Sequence, residues 1–169
     1  NENRHLEGLI TNRDIAYSYM DILDNRILSR ARTQYKNIVE TIQGTLQCGN
    51  PHARFTKGKV VVATGNRDAM RREIEQDDLV VVGNIRERQM IALERDAACI
   101  VICGENQVDE EVLRLARQQE CVLITTEYDA FTTARLIHQS IPIRFFMTRD
   151  NIISFQLDDY VDYVQDVMA

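Results

Sequence analysis

Four times between Lys59 and Gln139 a short, nearly continuous apolar run is followed within a few residues by a segment of helical spacing. The runs are Lys59–Ala63, Asp78–Val82, Cys99–Cys103 and Val122–Thr125; the helical segments are Arg67–Glu75, Arg86–Arg95, Asp109–Glu120 and Asp129–Gln139. A strand solvated on one face alternates polar and apolar residues, whereas an unbroken run must be covered on both faces. Short links between such units lead to right-handed crossovers and a mostly parallel sheet, so the expected class is α/β, built of βα units. Two helical stripes are available to cover the sheet: Val108, Val112, Leu115 and Ala116, and Ala130, Phe131, Ala134 and Ile137.

The flanks are less regular. Upstream, Thr33–Ile42 reads as a helix and Gly44–Cys48 as a short strand before a turn-rich stretch over 49–58. Downstream, Pro142 pushes Ile141 to an extended conformation, Ile143–Met147 and Ile152–Phe155 read as strands, and Leu157, Val161, Val164 and Met168 form an amphipathic stripe. Near the N-terminus, Gly8-Leu9-Ile10 ends a strand and Thr11-Asn12-Arg13-Asp14 opens a helix. Thr11 three residues before Asp14 is a capping box, with Thr11 as N-cap. The same junction places a hydroxyl, a carboxylate and free helix N–H donors where a nucleotide's ribose and phosphate can reach them, and the two readings are compatible.

Composition narrows the partners. A net charge of −6 without a basic block argues against a phosphate-tracking nucleic-acid surface. No apolar run approaches the ~18 residues of a membrane span, and no secretory leader is legible. The start at Asn1 without an initiator Met suggests an excised segment. Cys48, Cys99, Cys103 and Cys121 lack paired C-x-x-C spacing; Cys99 and Cys103, four apart in a strand, share a face as small buried hydrophobes, which fits a reducing compartment.

Three strand ends carry glycine or polar residues before a helix: Thr64-Gly65-Asn66, Gly83-Asn84, and Gly104 with Asn106. Thr126 as N-cap with Asp129 at N3 repeats the capping logic in a hydroxyl-rich stretch. Gly83, Asn84, Gly104 and Thr126 are thus candidates for an anion crevice outside the carboxyl ends of the strands. Tight βα connections use the same residues, and neither a dinucleotide nor a Walker glycine motif is present. Catalytic material is thin. His5, His52 and His138 are the near-neutral acid–base candidates, and none stands at metal-ligand spacing or beside a nucleophile elbow.

Thr33 to Met147 resembles the DRTGG domain, an α/β module of bacterial regulatory proteins. The resemblance is most specific over Val122-Leu-Ile-Thr-Thr-Glu-Tyr-Asp-Ala-Phe-Thr-Thr-Ala-Arg-Leu-Ile-His-Gln-Ser-Ile-Pro-Ile143, with Gly83-Asn84, Gln89 through Leu93, and Ile102-Cys103-Gly104 fitting more loosely. Where the family name implies Asp-Arg and Thr-Gly-Gly, this chain has Asn84-Ile85 and Cys103-Gly104-Glu105. His5 through Met20 resembles the closing strand and helix of a CBS motif, and Tyr163-Val-Gln-Asp-Val-Met168 the opening of a second. A DRTGG domain between two CBS motifs is the arrangement of the regulatory insert in CBS-containing family II inorganic pyrophosphatases.

That resemblance implies a division into 1–24, the end of a first CBS motif; 25–150, a DRTGG-like α/β domain; and 151–169, the start of a second CBS motif. It implies a non-catalytic regulatory segment of a manganese-dependent, cytoplasmic, homodimeric hydrolase, whose CBS motifs bind AMP, ADP, ATP or a diadenosine polyphosphate and act allosterically on a catalytic domain of the same chain. Thr11 and Asp14 match the CBS positions that hold phosphate and ribose, Ile10 an adenine or backbone contact, and Arg13 a phosphate partner. One half-motif is half a cleft. Two alternatives remain: a DRTGG/CBS module of another host, a phosphate acetyltransferase or a ligand-sensing transcriptional regulator, and a small self-contained enzyme using the strand-end crevice.

Overall fold

The computed structural model describes residues 6–20, 24–104, 107–149, 152–155 and 158–168. In chain order the elements are α1 (Asn12–Met20), α2 (Ile27–Arg30), α3 (Tyr35–Thr41), β1 (Thr45–Cys48), β2 (Val60–Val62), α4 (Arg67–Glu73), β3 (Leu79–Gly83), α5 (Arg86–Glu94), β4 (Cys99–Cys103), α6 (Glu110–Gln118), β5 (Val122–Thr126), α7 (Ala130–Ile137) and α8 (Val161–Met168). The four strand-then-helix units are all present. They form a five-stranded sheet in the order β1-β5-β4-β3-β2. β2, β3, β4 and β5 run parallel, and β1 closes the far edge antiparallel to β5, with an irregularity between Leu46 and Cys48.

Period-two alternation sorts the strand residues onto two faces. Val80, Val82, Ile100, Ile102 and Leu123 pack with Met70, Ile91, Ala92, Val112 and Ala116 from α4, α5 and α6. Leu79, Val81, Cys99, Val101, Cys103, Val122 and Ile124 pack with Ile27, Leu28, Tyr35, Ile38 and Ile137 from α2, α3 and α7. The sheet advances one strand at a time from β2 to β5, so its three crossover helices share one face. The helices before β1 and after β5 cover the other.

Several local expectations are corrected. Ile143–Phe145 is a turn of 3-10 helix and not a strand: Phe145 and Phe146 N–H donate to the Pro142 and Ile143 carbonyls, and the two rings meet edge to face at 5.2 Å. Residues 152–155 form no strand, because among the described residues no neighbouring strand pairs with them. Phe131 leaves the expected stripe and is 72% exposed, since α7 turns Thr133 and Ile137 inward; its ring lies under the Arg135 guanidinium at 5.8 Å. The N-cap of α7 is Asp129 and not Thr126, its Oδ1 accepting from Phe131 N and Thr132 N at 2.9 and 3.0 Å. Asp129 stands directly before the first helical turn, where a cap oxygen must be; Thr126 is still in β5. Leu157 of the C-terminal stripe lies outside the described residues.

The starts of β2 and β3 are tied by one buried carboxylate. Asp78, 1% exposed, accepts from Lys59 N at 2.9 Å and Glu75 N at 2.8 Å, with the Lys59 ammonium at 3.9 Å. Gly58 is needed beside it: with φ +77°, an added Cβ would come within 2.2 Å of the Asp77 carbonyl. Replacing Asp78 with Ala strands two amides, and a loss of about 2–4 kcal/mol is expected in urea unfolding.

Four helices end alike. In α2, α3, α5 and α6 the residue after the C-cap is left-handed, namely Arg32, Gln43, Asp96 and Glu120 with φ between 47° and 57°. The following amide bonds back to the last turn, as in Ala97 N to Ala92 O at 3.2 Å and Cys121 N to Ala116 O at 2.9 Å. These are Schellman motifs without their usual glycine. Asp96→Gly and Glu120→Gly are therefore each expected to raise stability by about 0.5–1 kcal/mol, read as a higher urea midpoint at unchanged slope.

Candidate functional site

The junction at the start of α1 forms the capping box in both directions. Thr11 N and Thr11 Oγ1 donate to Asp14 Oδ2 at 2.7 and 2.8 Å, and Asp14 N donates to Thr11 Oγ1 at 3.4 Å. The Thr11 amide, then its hydroxyl, hold the Asp14 carboxyl below the usual carboxylate range, and Arg13 adds to this. An ionised carboxylate results, with both bonds gathered on Oδ2. Such a group can accept from a ribose diol through its second oxygen while the first turn of α1 presents N–H groups to a phosphate. Ile10, 40% exposed, stands one residue before the box as an apolar surface.

A distant segment of the chain reaches this junction. Leu9 and Thr148 exchange two backbone hydrogen bonds, each 2.9 Å, as an isolated antiparallel bridge. Gly8 makes the approach possible, because a Cβ there would meet Thr148 O at 2.8 Å and Met147 Cγ at 2.9 Å. Thus the segment after α7 lies against the segment before α1. Periodicity carries no signal for a single bridge of this kind, and the small residue Gly8 is its one local trace.

The strand-end crevice is differently placed. α5 and α6 leave β3 and β4 toward one face and α7 leaves β5 toward the other, so the helices part between β4 and β5, where open α/β sheets hold ligands. Here that gap is bridged: Gly104 N donates to the Thr126 and Tyr128 carbonyls at 2.9 and 3.1 Å. Thr126 is buried, and its hydroxyl donates to Ile42 O at 2.8 Å and accepts from Tyr128 N at 3.3 Å. Its hydroxyl is thus committed to the fold. Gly83 and Gly104 leave open space where a side chain would be, and Asn84 is exposed, but Gly83 O accepts from Ile85 N at 2.9 Å in a tight βα turn. Asn106 lies outside the described residues.

The remaining candidates are dispersed. His52 is exposed on a loop, His138 is half-buried after α7, and His5 lies outside the described residues. Burial pushes the His138 pKa down against the pull of Asp24, and its Nδ1 has no hydrogen-bond partner. All four thiols are free, and burial raises their pKa values, that of Cys121 to about 12, which keeps them protonated. Among the described residues no group of three or more His, Cys, Asp or Glu side chains could hold a metal ion, and no helix is long and apolar enough to cross a membrane.

Known proteins share this architecture. The family model of the DRTGG domain matches residues 37–140. The cobalt-dependent inorganic pyrophosphatase of Clostridium perfringens is 33% identical over 99% of this chain and 30% of its own length. The probable manganese-dependent inorganic pyrophosphatase of Thermotoga maritima is 25% identical over 84% of this chain and 26% of its own. The uncharacterized protein YtoI of Bacillus subtilis is 34% identical over 63% of this chain and 24% of its own. The chain therefore spans less than a third of the length of these curated relatives. Among solved structures, the CBS and DRTGG domains of the regulatory region of the Clostridium perfringens pyrophosphatase, complexed with the activator diadenosine tetraphosphate, superpose with a TM-score of 0.88 at 33% identity, covering 99% of this chain and 73% of that one. The span 37–140 contains the whole sheet, β1 through β5, and on that match this chain belongs to the DRTGG domain family.

Proposed function

We propose that this chain is the regulatory segment of an inorganic pyrophosphatase, in which adenine-nucleotide binding at paired CBS motifs is coupled through the DRTGG domain to hydrolysis elsewhere in the same protein. The observation that carries this reading is the likeness to a pyrophosphatase regulatory region over 99% of the chain, flanks included. In this reading residues 1–24 close a first CBS motif, 25–150 form the DRTGG domain and 151–169 open a second CBS motif. Asp14 accepts from the ribose, Thr11 and the first turn of α1 meet phosphate, Ile10 lies against the base and Arg13 adds positive charge. The ligand is an adenine nucleotide of the kind named for the Clostridium structure, and the assembly is a homodimer. The metal of hydrolysis, cobalt or manganese by the names of the relatives, belongs to the catalytic part of the parent.

Regulation of this type requires that the nucleotide bind one state of the protein more tightly than the other, since equal affinity shifts nothing. The Leu9–Thr148 bridge ties the segment before α1 to the segment after α7 and offers one route by which a displacement of α1 reaches the sheet domain. A second reading places the same module in another host, and the match to YtoI, which carries no pyrophosphatase name, favours it for part of the chain.

Two measurements test the reading on the full-length parent protein. Titration calorimetry with AMP and with diadenosine tetraphosphate is expected to show at least tenfold weaker binding for Asp14→Ala, and pyrophosphate hydrolysis is expected to respond to the same ligands; unchanged affinity removes Asp14 from the site, and absent hydrolysis favours the other host. Gly8→Ala, which collides with Thr148, is expected to leave nucleotide affinity within about threefold while abolishing most of the activity response and exposing the Leu9 and Thr148 amides to hydrogen exchange.

A further inference from the structure

At the amino ends of β3, β4 and β5, the end of the sheet opposite the strand-end crevice, lies a cavity of about 830 Å³. Tyr35, Ala97 and Cys121 are buried in its floor, and Asp96, Arg117 and Glu120 stand exposed on its rim. Tyr35 carries the chemistry of the floor. The residue is 5% exposed, its ring packs on Phe55 with centroids 6.4 Å apart, and its amide donates to Ala53 O at 3.1 Å. Its hydroxyl, however, has no hydrogen-bond partner among the described residues. Asp77 and Cys121, whose charges bear on the phenol, are themselves walls of the cavity, which places the hydroxyl at that wall. An unpaired buried hydroxyl costs about 1–3 kcal/mol, and phenylalanine would fill the same space without it. Burial holds the phenol above its ordinary pKa, so it meets the cavity as a neutral donor.

The rim offers both signs of charge. Asp96, Arg117 and Glu120 have no ion-pair partner among the described residues, whereas Arg67, Arg71 and Arg86 are each neutralised by a carboxylate. Asp96 and Glu120 also hold left-handed backbone positions that glycine would occupy at lower cost, so their carboxylates are kept at some expense to the fold. A metal cation or a simple anion meets repulsion from one of the two signs. A zwitterion satisfies both, with its ammonium group against the two carboxylates and its carboxylate against the planar fork of Arg117. The neutral floor then takes an uncharged end that accepts from the Tyr35 phenol. We infer that this cavity binds a small zwitterion of the amino-acid or dipeptide class whose side chain ends in an uncharged carbonyl, such as a carboxamide. Its volume lies within the roughly 300–1,000 Å³ of small-molecule sites. None of these residues belongs to the Thr11–Asp14 junction, so the site is independent of the nucleotide reading.

Cys48 supplies the readout. It lines the same cavity, half-buried, with its Sγ donating to Cys121 O at 3.3 Å, while Cys99, Cys103 and Cys121 are buried. Alkylation of Cys48 by iodoacetamide at alkaline pH is followed on the full-length parent protein by peptide mass spectrometry. The probes are glutamine, alanyl-glutamine, putrescine and glutarate. Both zwitterions at millimolar concentration are expected to slow alkylation about fivefold or more, while putrescine, with cations alone, and glutarate, with anions alone, leave it within about twofold. Tyr35→Phe and Arg117→Gln are each expected to weaken that protection roughly tenfold. Tyr35→Phe should also leave the thermal midpoint unchanged or raise it, because the ring is kept and an unpaired hydroxyl is removed. A lower midpoint assigns the hydroxyl to the fold and overturns the inference. It is equally overturned if neither zwitterion slows alkylation, if putrescine or glutarate slows it as much, or if protection survives both substitutions.

Discussion

Burial of β4 from both sides is the constraint on which the rest of this molecule depends. Every side chain from Cys99 to Cys103 is buried, and β3 and β5 flank it over their full lengths. A strand in that position cannot be solvated on either face, so helices must cover both, and its backbone needs a hydrogen-bonded partner on each edge. The crossover helices meet the first need on one face, while α2, α3 and α7 meet it on the other. Two of the polar groups inside are bonded within the core, Cys103 donating to the Thr133 hydroxyl at 3.3 Å and Thr126 to the Ile42 carbonyl.

That arrangement bears on where the candidate recognition residues stand. In open α/β sheets the gap between diverging helices is the usual place for a ligand. In this domain the Gly104 amide spans the gap, and the neighbouring hydroxyl is turned into the fold. The candidate recognition residues, the Thr11–Asp14 box, therefore sit at the margin, where α1 begins.

The parts legible in the sequence are those that repeat. Continuous apolar runs announced four buried strands, and spacing alone put Cys99 and Cys103 on one face. The Thr11–Asp14 box was equally legible, because N-caps depend on residues three apart. Other features lacked such a code. Antiparallel β1 reads no differently from a parallel strand, since alternation has no direction. The left-handed helix ends are occupied by Arg, Gln, Asp and Glu, so the glycine that usually marks them is missing. Thr126 and Asp129 compete as caps within one short stretch, and only the geometry of α7 separates them. Phe131 has core spacing but faces solvent beside Arg135.

The Leu9–Thr148 bridge has one further consequence. Two points at opposite ends of the domain's sequence are joined as neighbours in a single ladder, so the domain hangs from its surroundings like a long excursion out of one loop. Excursions with adjacent ends can be gained, lost or exchanged without moving what lies on either side. A lineage could therefore add such a module between two flanking segments, or remove it, while keeping those segments in register. What the domain contributes is then tunable separately from the segments on either side of it.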